Sequence, residues 1–135
     1  MTGPEYFRSA RLHDGGFAYG AQVAPHSLIY TAGLSPLDRH GAVVAAGDPL
    51  AQVDRVVECL DELLDERGAG RADIVKLTVY VATIDGEVLG AVWFALDAIF
   101  DGATPPAIVL GVSALPYPGQ RVELEAVVAL GVEPR

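Results

Sequence analysis

The sequence predicts an α+β fold: about six strands in one mixed sheet, with two helices on one face. Three observations carry that prediction. A stretch after Asp48 repeats its apolar residues at helical spacing, and a second helical stretch follows at Glu87–Phe100. Short β-rich runs lie before, between and after them. Two helices can cover only one face of such a sheet, so the other face calls for a second subunit.

Taken in order, Phe7–Leu12 reads as the first strand, followed by the Asp14-Gly15-Gly16 turn. Ala18–Val23 and Leu28–Ala32 are short strand-like runs separated by Pro25 and His26. Pro36 to Gly41 is turn-rich, with Asp38 and Gly41 supplying the turn chemistry. Asp48 is a good N-cap, and Pro49 suits the first helical position. Leu50, Val53, Val56, Val57, Leu60, Leu63 and Leu64 then mark one buried face, and Gly68 and Gly70 end the helix. Ile74–Val81 is the next strand. In Glu87–Phe100, Val88, Ala91, Val92, Ala95 and Ile99 form one stripe, and Leu89, Trp93, Leu96 and Phe100 another. A helix apolar nearly all round must be covered on more than one side. Ala107–Val112 and Arg121–Leu130 are the last strands, joined by Leu115-Pro116-Tyr117-Pro118-Gly119. In the final strand Arg121, Glu123 and Glu125 share one face, and Val122, Leu124, Ala126 and Val128 the other.

Composition narrows the function classes. A chain of 135 residues, 51% hydrophobic and 20% charged, suits one folded domain spanning 1–135. Its longest apolar runs, Ile108–Val112 and Ala126–Val132, are too short to span a bilayer, so no membrane partner is expected. Met1–Glu5 shows no basic segment and no apolar signal core, so a cytoplasmic location is expected. The net charge of −9 argues against a nucleic-acid partner, because phosphates would be repelled. Cys59 is the only cysteine, which excludes an intrachain disulfide and a cysteine metal site. His13, His26 and His40 fall in presumed loops, without spacing suited to a metal. There is no phosphate loop, nucleophile elbow or nucleotide fingerprint, so no metal and no cofactor are expected.

Several motifs stand in a telling order. Leu28-Ile29-Tyr30-Thr31-Ala32-Gly33 precedes the helix that carries Gln52, and Asp73-Ile74-Val75-Lys76-Leu77-Thr78-Val79-Tyr80-Val81 follows it. Leu115-Pro116 and Val122-Glu123-Leu124-Glu125-Ala126 close the series. From about Tyr19 to Leu130 the chain resembles the Rid (RidA/YjgF-like) family. That resemblance implies a chorismate-mutase-like Rid fold and a homotrimer with a central barrel-like core. It also implies small-molecule clefts between the subunits. In deaminating members such a cleft holds a 2-imino acid or its enamine tautomer. An arginine clamps the carboxylate, and a water held near a glutamate attacks the imine carbon, releasing ammonia. Imines hydrolyse readily, so placement supplies most of what is needed.

The resemblance puts Glu123 at the water-binding glutamate, as the catalytic acid–base. Its alternative is a structural carboxylate bonded across the subunit interface. Tyr19 falls at a cleft tyrosine, or else is a packed strand aromatic. Four further substrate-binding positions depart from the family pattern. Ala107 stands for its arginine, Ala32 for its serine, Val109 for its cysteine and Trp93 for its asparagine. An alanine cannot hold a carboxylate, so the chain looks like an arginine-less subgroup, for which standard 2-aminoacrylate deamination is not expected. Trp93 is either a flat wall that stacks on a ligand ring or a core or interface residue. Arg121 either supplies the missing charge or is an exposed strand-end arginine.

The expected function is therefore enzymatic: hydrolysis, tautomerisation or cyclisation of a small imine/enamine-type metabolite in inter-subunit clefts. The alternative is a non-catalytic small-molecule-binding or regulatory trimer. Endoribonuclease activity, a third reading, fits the acidic charge worst.

Overall fold

Helix α1 (Pro49–Glu66) begins where its sequence cues it. In the computed structural model, which describes residues 5–22 and 27–130, the Asp48 carboxylate accepts the Ala51 N–H at 3.2 Å. The helix ends in two backbone bonds, Gly68 N–H to the Asp65 carbonyl and Ala69 N–H to the Leu64 carbonyl. That closure needs a left-handed residue after the cap, and Gly68, at φ +73°, supplies it. Val53, Val56 and Leu60 are fully buried on the inner face.

Six strands form one sheet: β1 (Glu5–Phe7), β2 (Gly20–Gln22), β3 (Leu28–Thr31), β4 (Ile74–Ala82), β5 (Ala107–Val112) and β6 (Val122–Ala129). Their spatial order is β1-β2-β3-β6-β4-β5. Every neighbouring pair is antiparallel except β4 and β5, which are parallel and joined through helix α2 (Gly86–Ile99). The sheet is therefore mixed, and with both helices the fold is α+β, as the sequence predicts. The last strand inserts between β3 and β4, which sets Glu123 opposite Tyr80 and Leu124 opposite Leu34.

Strand alternation divides the sheet into two faces. Leu77, Val79, Val81, Val122, Leu124 and Val128 join the α1 and α2 residues in one buried cluster. The opposite face carries Thr78, Tyr80, Glu123, Glu125 and Val127, which are partly exposed. Tyr30, Ile108 and Leu110 lie there too, and each is more than a third exposed.

Several predicted boundaries change. Phe7–Leu12 is not a strand throughout: β1 stops at Phe7, and Arg8–Leu12 turns instead. The Ser9 hydroxyl accepts the Arg11 and Leu12 N–H groups, competing with any strand partner, while it donates to Glu66 at the end of α1. Within Ala18–Val23 only Gly20–Gln22 pairs as strand; Val23, Pro25 and His26 lie outside the described residues. The final strand is Val122–Ala129, one residue shorter at each end than predicted. In α2 only Val92 and Leu96 are fully buried, whereas Trp93 and Phe94 face outward at 37% and 73% exposure. Trp93 is not in the core of this subunit.

Candidate functional site

Glu123 lies on the open side of β6, and the chain crowds around its carboxylate. One oxygen, Oε1, accepts from the Ser35 hydroxyl at 3.2 Å and lies 3.3 Å from the Gln120 amide nitrogen. Gln120 is itself buried. Its amide nitrogen also donates to the Val122 carbonyl at 3.0 Å and to Ser35 Oγ at 2.9 Å, and its oxygen accepts the Tyr117 N–H. The second oxygen, Oε2, rests over Gly33: a Cβ at that position would stand 2.4 Å from it. Residue 33 must lack a side chain for the carboxylate to lie there. Among the described residues no arginine or lysine pairs with Glu123, so neutral donors hold a charge that no cation offsets.

The carboxylate opens onto a cavity of about 160 Å³ whose walls include Phe17, Tyr19, Ser35, Pro116 and Tyr117. Tyr19 packs against Phe17 with ring centroids 4.9 Å apart, and its hydroxyl donates to the His13 carbonyl at 2.8 Å. Burial pushes the Tyr19 phenol up to about 12, so it stays protonated. With that proton engaged, Tyr19 offers the cavity its ring and its oxygen lone pairs.

Gln52, fully buried on α1, holds the site from behind. Its amide nitrogen lies 3.2, 3.0 and 3.0 Å from the carbonyls of Val44, Ala45 and Gly119, and its oxygen accepts the Arg121 N–H at 2.6 Å. The turn that leads into β6 is thereby tied to the helix, two residues before Glu123.

The remaining candidate residues lie elsewhere in the subunit. Ala32 borders a separate shallow depression with Tyr6, Gly20 and Tyr30. Ala107 and Val109 pair with Leu77 and Val79 and pack on the helix side of the edge strand, away from Glu123. Trp93 projects from α2. The single chain thus brings Tyr19 to Glu123 and does not bring Trp93, Ala107 or Val109 to it. Arg121 precedes β6 and lines a neighbouring cavity instead. Glu125, also on the open side, accepts the Tyr80 hydroxyl at 2.7 Å, and that bond holds the Tyr80 proton on and raises its pKa. Cys59 is buried, with its thiol pushed up to about 11 by burial, as befits a packed core residue. Among the described residues no group of histidine, cysteine and carboxylate side chains is arranged to hold a metal.

Sequence reasoning missed Ser35, Gln120 and the packing role of Gly33. Ser35 and Glu123 are 88 residues apart, and only the insertion of β6 beside the segment after β3 joins them.

Comparison with known proteins gives a consistent result. The Endoribonuclease L-PSP family profile matches residues 15–130. A RutC family protein of Pyrococcus abyssi is 30% identical over 110 residues, covering 81% of this chain and 84% of its own. The 2-iminobutanoate/2-iminopropanoate deaminase of Rattus norvegicus is 29% identical over 114 residues, covering 84% of this chain and 81% of its own. Among solved structures, the YjgF gene product of E. coli superposes with a TM-score of 0.76 at 24% identity, covering 93% of this chain and 98% of that one.

Proposed function

The chain belongs to the Rid (YjgF-like) family, and on that premise we propose that it hydrolyses a small imine or enamine metabolite at Glu123. The observation that carries this reading is the carboxylate itself. It is fixed by Ser35, Gln120 and the bare backbone of Gly33, it has no cationic partner among the described residues, and it faces a cavity with aromatic walls.

The chemistry asks little more. Glu123 takes a proton from a water whose oxygen adds to the imine carbon, and passes that proton to the nitrogen, to which the C=N electron pair has moved. In the resulting carbinolamine the carboxylate takes the hydroxyl proton as the C=O bond forms and the C–N bond breaks, and delivers it to the departing nitrogen, which leaves as ammonia. A pre-positioned base and a confined substrate supply the acceleration. The named activity of the rat deaminase supports the reaction class.

The substrate differs from a 2-imino acid held through its own carboxylate. Ala107 offers no charge, and Ala32, Val109 and Trp93 offer surface rather than polar anchors. Because Ala107, Val109 and Trp93 point away from Glu123 within one subunit, the working cleft takes them from a neighbouring copy, in a trimer. The half-exposed Tyr30, Ile108 and Leu110 on the open sheet face support such an assembly. Light scattering should give about three times the 14.2 kDa chain mass, and a stable monomer at micromolar concentration would remove the inter-subunit cleft.

The functional test generates imines in situ with an amine or amino-acid oxidase and follows carbonyl product with and without the protein. Release should rise above the spontaneous rate for imines that lack an α-carboxylate. For 2-iminopropionate it should stay near the spontaneous rate. Fast hydrolysis of 2-iminopropionate would show that another group replaces the missing arginine.

A further inference from the structure

Beside the Glu123 cavity lies a larger one, of about 370 Å³, at the C-terminal ends of β4 and β5. Tyr117 lines both, and Gln120, which touches Glu123, lines the larger one as well. Among the described residues Arg121 is the only charged one on its walls, an unusual feature in a chain of net charge −9.

That arginine stands apart from the others. The guanidinium groups of Arg8, Arg11, Arg39, Arg55, Arg67 and Arg71 each bond a carboxylate, amide or carbonyl oxygen. Among the described residues Arg121 is the one arginine whose guanidinium has no such partner. Its backbone, by contrast, is held on both sides. The N–H donates to buried Gln52 at 2.6 Å, and the carbonyl accepts the Ala82 N–H at 2.8 Å. The main chain is thus fixed, while the exposed guanidinium at the cavity is available to an anion. Hydroxyls line the same cavity. Thr83 Oγ1 accepts the Asp85 N–H and so keeps its own proton to donate, and Ser113 lines the same wall.

We propose that this cavity is a subsite of the Glu123 site, in which Arg121 binds an anionic group on the substrate, remote from the imine carbon. The inference rests on the proposed imine hydrolysis and specifies its substrate class. Residues two apart in extended chain are separated by about 6.6 Å along the strand, and their side chains here enter different cavities. An anion at Arg121 is therefore not on the atom next to a carbon held at Glu123. The class indicated is an imine or enamine whose carboxylate sits several bonds from the C=N carbon. A 2-imino acid does not fit that description.

The test uses stable ketones in place of the imine. Binding of 4-oxopentanoate, which carries its carboxylate two methylenes from the carbonyl, is compared by calorimetry with binding of pyruvate and of uncharged 2-pentanone. The wild-type protein should bind 4-oxopentanoate most tightly. Arg121→Gln should weaken it by about ten- to a hundredfold, towards the 2-pentanone level, while Arg121→Lys recovers part of the loss. Melting curves check that both variants are folded. Absence of saturable 4-oxopentanoate binding to the wild type, or binding that a folded Arg121→Gln leaves unchanged, overturns the proposal. If binding depends on Arg121 but no imine is consumed faster than in buffer, the anion subsite stands as a ligand site and the hydrolytic reading falls.

Discussion

Gly33→Ala is expected to lower turnover by about a hundredfold while leaving the protein folded, because it moves one carboxylate and little else. An added Cβ would stand 2.4 Å from Glu123 Oε2 and 2.8 Å from its Cδ, and both must move. What yields is the end of a flexible side chain, which rotates away at small cost. Gly33 does not hold a positive φ, so an alanine there brings no backbone strain. The expected stability change is within about 1 kcal/mol. Displacing the carboxylate also breaks its contacts with Ser35 and Gln120, so a water held by Glu123 loses its alignment on the substrate. Thermal melting and product release, measured on the same preparation, check both halves. A large fall in melting temperature would mean that residue 33 is packed for stability, and unchanged turnover would mean that the position of the carboxylate does not matter.

Gln52→Ala should produce the largest stability loss of any polar substitution near the site, about 3–5 kcal/mol. The side chain is fully buried and serves three carbonyls and one N–H drawn from two separate loops. Alanine leaves the Arg121 N–H without its side-chain partner and takes a donor from the Val44, Ala45 and Gly119 carbonyls, of which Ala45 and Gly119 keep the Asp48 and Gly47 N–H groups, and it opens a cavity the size of an amide group. For a domain of this size the melting temperature should drop by more than about 10 °C. Gln52→Glu keeps the acceptor for Arg121 but turns a negative oxygen towards carbonyls, so it should also destabilise. A melting temperature within a few degrees of the wild type for Gln52→Ala would show that the two loops hold their places without it.

How far these features were legible depends on whether their causes are local. The start of α1 was readable, since Asp48 and Pro49 act on the residues beside them. The first strand was over-extended because Ser9 and Glu66, which turn the chain after Phe7, are 57 residues apart. The outward placement of Trp93 was hidden by a helix apolar nearly all round, where periodicity marks no preferred face. Alternation along β6 did reveal that Glu123 and Leu124 face opposite ways. The partners of Glu123 were not legible: Ser35 reaches it from the segment after β3, through a strand order that no local pattern encodes. The place of Ala107 and Val109 on the helix side follows from their register with Leu77 and Val79, which only the paired sheet reveals.

The central claim is that the Glu123 carboxylate activates water on an imine, and Glu123→Gln tests it most directly. Glutamine preserves size and hydrogen bonding but cannot take the proton. Product release is followed at enzyme excess from an imine generated in place, alongside the affinity for 4-oxopentanoate. The predicted result is a folded variant with wild-type affinity whose release rate falls by about a hundredfold or more, to near the buffer rate. Release from Glu123→Gln as fast as from the wild type would contradict it.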